Sequence, residues 1–162
     1  MANICSFSMA VKGKKENIEQ FINMIEQKGT IWMGRGAVIH SQDVEELEDG
    51  KYRYQIDGDT KWSIQSSLID NAVSMRTEPD KWGFGDDVDK TKLSFVTLLE
   101  ACEQLELAME VYSEECGIGF QEHFVFDDGE LIEHEVVDYT EEYNEETDEY
   151  ELSGGFIWDF EI

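Results

Sequence analysis

Between Asp138 and Glu151 the sequence reads DYTEEYNEETDEYE, eight acids in fourteen residues, with Tyr139, Tyr143 and Tyr150 set among them. Tyrosine supplies contact area and a hydroxyl, so carboxylates interleaved with tyrosines suit a binding surface. Glu141, Glu142, Glu145, Glu146, Asp148 and Glu149, with Tyr139, Tyr143 and Tyr150, are therefore the candidate partner-binding residues. The plainer reading of the same stretch is an acidic hairpin tip or loop.

Other carboxylate chemistry is weaker. Asp57-Gly58-Asp59, Asp86-Asp87-x-Asp89 and Asp127-Asp128-Gly129 place oxygen ligands close together, as hard cations require. None follows the twelve-residue calcium-loop spacing, and short Asp/Gly runs are usually turns, so no metal ligand is assigned. Glu122, between Phe120 and Phe124, has the apolar setting that can suit a carboxyl to acid/base work. No G-x-S-x-G, H-E-x-x-H or phosphate-cradling glycine loop accompanies it. Gly117-x-Gly119 lacks the third glycine of a dinucleotide loop, and Cys116 follows Glu114 and Glu115, an unfavourable setting for a thiolate. The sequence points to no catalytic residue and no cofactor.

Charge placement is the strongest signal. The net charge is −26. Residues 1–92 hold all 12 Lys and Arg against 16 acids, while residues 93–162 hold 22 acids and no base. Duplex DNA carries one negative charge per ~1.7 Å of axis, so 22 charges match ~37 Å of duplex. That is close to the ~40 Å breadth of a compact chain of this size. Such a field draws in basic nucleic-acid-binding proteins and costs stability through self-repulsion. It also opposes direct nucleic-acid binding, since Lys12, Lys14 and Lys15 are the only basic cluster.

The elements that must position these residues follow from periodicity. Ile4 to Lys12 alternates as a strand, and Ile18, Phe21, Ile22 and Ile25 recur at helical spacing over about residues 15–28, closed by Gly29. Strands are predicted near Ile31–His40 and Lys51–Ile64, the second with a turn at Asp57-Gly58, then a short helix at Ser66–Met75 and a loop over 76–90. A helix is predicted over Ser94–Leu105 with Phe95, Leu98, Leu99, Cys102 and Leu105 on one face. Leu107, Met109 and Val111 then alternate as a strand, followed by a hairpin, Phe120–Phe126 and Glu130–Asp138. A three-residue loop with Gly129 in the left-handed position sets Phe124 opposite Ile132, Phe120 opposite Val136 and Glu122 opposite His134. A two-residue loop would oppose Glu122 to Glu135, an unfavourable like-charge pair, and His123 to His134. Under the first register the two histidines lie on opposite faces, which disfavours a joint metal site. Phe156, Trp158, Phe160 and Ile162 form one face of a last strand. The whole reads as one α+β domain over 1–162, an antiparallel sheet with helices on one face, extended by an acidic C-terminal β-meander, with 93–162 as its acidic half.

One proline, three widely spaced cysteines without a C-x-x-C pair, no membrane-length apolar run and no signal-peptide layout fit a soluble protein of a reducing cytoplasm.

Met1-Ala2-Asn3-x-Cys5, Gly58…Trp62-Ser63-Ile64 and the run Tyr112-Ser113-Glu114-Glu115-x-Gly117-x-Gly119-Phe120-Gln121-Glu122-His123 resemble small ferredoxin-like proteins of phages and mobile elements. The likeness covers most of residues 1–138, and the family often has proline where this chain has Cys116. The resemblance implies a ferredoxin-like core and a phage or mobile-element origin, and no activity. Joined to the acidic half, it points to an inhibitor acting in the host cytoplasm. Its partner would be a basic nucleic-acid-binding host protein, a defence nuclease or CRISPR–Cas effector, whose groove it occupies as a DNA mimic. The competing expectations are a structural or accessory phage protein whose acidity is only solubilising, and a divalent-cation-binding domain.

Overall fold

The computed structural model describes residues 3–84 and 88–162. Asp86 and Asp87 of the second carboxylate cluster lie outside the described residues, as do Met1 and Ala2. The chain is α+β with a mostly antiparallel sheet.

Strand β1, Ile4–Gly13, buries Cys5, Phe7, Met9 and Val11 on one face, as its alternation predicts. Helix α1, Lys15–Ile25, lays Ile18, Phe21, Ile22 and Ile25 on that face. It unwinds through Gln27 and Gly29, at φ 57° and 78°. The single strand expected at 31–40 is two. Strand β2, Ile31–Trp32, is cut off by Gly34, whose Cβ, had it one, would fall 2.1 Å from the Ser67 carbonyl oxygen. Strand β3, Val38–Glu46, then pairs with β4, Tyr52–Lys61, across a turn at Gly50.

The turn expected at Asp57-Gly58 is absent, because β4 runs straight through it. Gly58 is there for proximity: a Cβ would meet the Val38 carbonyl oxygen at 2.3 Å and Phe7 Cζ at 2.9 Å, where β3 bulges between Ile39 and Ser41.

Residues 65–77 are helical, a π-turn over Gln65–Asp70 leading into α2, Asn71–Thr77. Short 3₁₀ turns form at Pro79–Lys81, within the expected loop, and at Lys90–Lys92, at its end. Strand β5, Ser94–Phe95, pairs in parallel with β2. The helix expected from Ser94 therefore starts later, as α3, Leu98–Gln104, with the Thr97 hydroxyl accepting the Glu100 N–H at 3.1 Å. Phe95 consequently leaves the helix face and joins Trp32, Met75, Trp82 and Phe84 in a satellite cluster.

Strands β6, Ala108–Glu115, β7, Phe120–Asp127, and β8, Glu130–Asp138, complete a six-stranded sheet in the order β3-β4-β1-β6-β7-β8. All its neighbours are antiparallel. Core residues from α1, α3 and the 65–77 helix pack on one face, each fully buried Leu, Ile, Phe or Met contributing ~1.5–3 kcal/mol.

The three-residue loop expected for the β7–β8 hairpin is not found, and the two-residue register holds only at the turn. Asp127 opposes Glu130 across a two-residue turn with Asp128 and Gly129 at φ 50° and 77°. A bulge then slips the strands, so Phe124 faces His134, Glu122 faces Val136 and His123 faces Glu135. The two histidines do point to opposite faces, but Glu122 is not paired with His134, whose ring stacks on Phe124 at 4.0 Å.

After β8, strands β9, Thr140–Asn144, and β10, Glu149–Ser153, pair with each other as a separate ribbon. Segment 154–162 is not the expected strand. It lies in irregular conformation against the sheet face opposite the helices, with Phe156, Trp158 and Phe160 turned onto Tyr112. The predicted alternation survives without a ladder.

Gly58→Val should cost about 3 kcal/mol, because backbone on a neighbouring strand must move. Gly50→Ala, strained in φ but in open space, should cost only about 1 kcal/mol. Urea midpoints of the two variants check this, and equal shifts would refute the close-approach account of Gly58.

Candidate partner-binding surface

The 22 acids after Lys92 divide sharply by environment. Glu110, Glu115 and Glu122 are buried, at 2, 1 and 2 % exposure. Each meets hydrogen-bond donors supplied by the fold. Glu122, on β7, accepts the Ile64 N–H at 2.8 Å, the Gln65 N–H at 3.1 Å and the Ser113 hydroxyl at 2.6 Å. It thereby caps the start of the 65–77 helix from across the core, where an anion is favoured. This geometry occupies its oxygens structurally and leaves none aimed at an open site. Glu115 accepts the Gly117 and Ile118 N–H groups at 2.6 and 2.8 Å, shaping the turn into β7.

Glu110 sits on the sheet's outer face. It accepts the Glu161 N–H at 2.6 Å and lies 2.7 Å from His123 Nε2, while His123 Nδ1 is 3.6 Å from Glu133. His123 also stacks on Tyr112, centroids 4.2 Å apart. Segment 154–162 closes over this group: the Tyr112 hydroxyl donates to the Asp159 carbonyl at 3.2 Å, and Arg53 Nε donates to the Ile162 carbonyl at 3.0 Å. Sequence reasoning missed this Glu110–His123–Glu133 arrangement. Its only signal was parity, since Glu110 and His123 share the outer face once β6 and β7 pair.

The remaining acids are largely exposed. Among the described residues, no Lys or Arg nitrogen comes within 4.0 Å of an Asp or Glu carboxylate beyond Glu100, whose partner is Arg76 at 2.9 Å. The β9–β10 ribbon concentrates them. Glu141, Glu142, Glu145, Glu146, Asp148 and Glu149 are all exposed there. Glu142 directly opposes Glu151, a like-charge pair that weakens the ribbon. Tyr143 opposes Tyr150 on the other face, rings 5.4 Å apart and 51 and 72 % exposed, and the Tyr143 hydroxyl donates to Asp148. Tyr139 does not belong with them. It is buried beside Cys116 and Glu114, and burial pushes its hydroxyl's pKa upward, with those neighbours adding to the rise. Its role is to pin the corner between β8 and β9.

The metal candidates separate. Asp59 accepts from Ser6 at 2.7 Å and lies 2.6 Å from His40. Burial works against its charge, but these bonds outweigh it and hold the carboxyl below its usual range. Asp57 accepts from Ser41 instead, at 3.1 Å. Asp127 and Asp128 border a groove of about 440 Å³ that Lys12 and Lys51 also line. Among the described residues no three His, Cys, Asp or Glu side chains are placed to hold one ion, and no helix is long and apolar enough to cross a membrane.

No protein-family model, curated protein or solved structure matches the chain.

Glu122→Gln should lower stability by about 2 kcal/mol, since an amide presents an N–H₂ where the fold supplies only donors. Glu142→Gln should leave stability level or raise it slightly. Chemical denaturation distinguishes them, and a neutral Glu122→Gln would refute the capping role. Burial pushes the Cys5 thiol up to about 12 and raises that of Cys102, whereas Cys116 is exposed. Iodoacetamide at about pH 8 should therefore label Cys116 alone in the folded chain, as mass spectrometry of the peptides would show. Comparable labelling of Cys5 would contradict its placement.

Proposed function

We propose that this chain is a phage- or mobile-element-encoded inhibitor that occupies the basic nucleic-acid groove of a host defence protein, a nuclease or CRISPR–Cas effector being the target class. The observation that carries the reading is how little of this charge meets a Lys or Arg within the fold. Three of the 22 acids after Lys92 are buried and bonded internally, and beyond Glu100 the described Asp and Glu carboxylates have no Lys or Arg partner. Self-repulsion of this size lowers stability unless an external cationic surface offsets it.

Strand geometry suits the role. Same-face residues on a strand recur every ~6.6–6.8 Å, so Glu149 and Glu151 on β10 stand in a row beside Glu142 of β9. Tyr143 and Tyr150 give that ribbon a second, aromatic face. Direct nucleic-acid binding is disfavoured, because the aromatic patch on the sheet's outer face, Tyr112 with His123, lies under Phe156, Trp158 and Phe160.

A ferredoxin-like core belongs to the same proposal. Its support is the β-α-β-β-α-β succession of β1, α1, β3, β4, α3 and β6, in the spatial order β3-β4-β1-β6.

Immobilised chain should retain a nucleic-acid enzyme from host lysate at about 50 mM salt and release it by about 300 mM or on adding duplex DNA. A variant with Glu141, Glu142, Glu145, Glu146 and Glu149 changed to Gln and Asp148 to Asn should retain at least about tenfold less. Undiminished retention by the variant, or a partner indifferent to salt and DNA, would overturn mimicry in favour of a solubilising surface.

A further inference from the structure

We propose that the β8 edge of the sheet receives an extended basic segment of the partner, which adds to it as a seventh strand. Among the described residues, strand β8 hydrogen-bonds to β7 alone and the β9–β10 ribbon pairs only with itself, so the other side of β8 has no strand neighbour there. An open edge of nine residues is a template for strand addition.

Its side chains fall into two rows. Glu130, Glu133 and Glu135 share the outer face with Asp127, Val125 and His123. Leu131, His134 and Val136 share the inner face with Phe126, Phe124 and Glu122. Leu131 and Val136 are nonetheless 44 and 55 % exposed, and Ile132, at the bulge, is 61 % exposed. The edge is thus largely apolar on one face and anionic on the other; it carries no Lys or Pro, and its acids and bulge are guards that turn away an uncharged or acidic strand but not a basic one.

Charge selects the occupant. Charge disfavours a second copy in the central registers: antiparallel pairing about His134 would set each Glu133 against the other copy's Glu135, and pairing about Glu133 or Glu135 would set that residue against itself. A strand alternating Lys or Arg with Val or Ile satisfies both rows at once. The proposal rests on the inferred function only for the partner's positive charge. It adds how that partner is held, through backbone pairing as well as through the acidic field.

The test uses the full chain with synthetic octapeptides, one alternating Lys and Val, one with the same residues in two blocks, read by hydrogen exchange of the backbone amides. The alternating peptide should slow exchange within 130–138 at least tenfold, and the block peptide should not. Glu130→Lys with Glu135→Lys should abolish that protection, while Glu45→Lys with Glu46→Lys, an equal charge change on exposed residues of β3 at the far end of the sheet, should leave it. No protection at 130–138, or protection that both peptides give equally, would overturn edge addition while leaving the groove proposal standing. Edge protection alongside a failed lysate capture would support edge addition and sink the groove proposal alone.

Discussion

A carboxylate buried away from any Lys or Arg must be surrounded by N–H and O–H donors, and that requirement organises the irregular parts of this fold. Glu122 gathers the first amides of the 65–77 helix, Glu115 those of the turn before β7, and Glu110 that of Glu161. Each joins a regular strand to backbone that has no ladder of its own. Hydrogen bonds to a charged acceptor are about twice as strong as neutral ones, and removing an acceptor leaves buried donors orphaned at about 1–3 kcal/mol each. The carboxylates therefore fall into two settings, bonded inside the fold at three positions and exposed to solvent at most of the rest.

Much of the architecture was legible in the residue pattern. The apolar spacing of Ile18, Phe21, Ile22 and Ile25 marks α1, and the alternation from Leu107 to Val111 marks β6, since one face of each must be buried. Errors arose where a residue has more than one physical use. Gly58 reads as a turn residue because glycine favours turns, yet it serves close strand approach, which only the neighbouring strand reveals. Ser94 and Phe95 look continuous with α3, but Thr97, followed three residues on by Glu100, is a capping pair that places the start correctly. The β7–β8 register failed because a bulge adds one residue to one strand, and no local rule places it.

The candidate surface was legible in part. Charge is a property of composition, so the acidic ribbon stood out from the sequence. Burial is a property of the folded chain, so Tyr139 could not be told from Tyr143 and Tyr150 by spacing. The closure of 154–162 over Tyr112 and His123 depends on which sheet face the helices leave open. That choice is made by β1, whose Cys5, Phe7, Met9 and Val11 commit one face to α1 and α3 and leave Ser6, Ser8 and Ala10 to the other.

The strand order also sorts charge in space. Lys12, Lys51, Arg53 and Lys61 lie on or beside β1 and β4, whereas β7, β8 and the ribbon contain no Lys or Arg. The centre of charge is thus displaced from the centre of mass toward the β8 side. A body built this way experiences a torque as well as a pull in the field of a cationic surface. It turns its β8 side forward while still separated by solvent, so orientational search is shortened before the first contact forms.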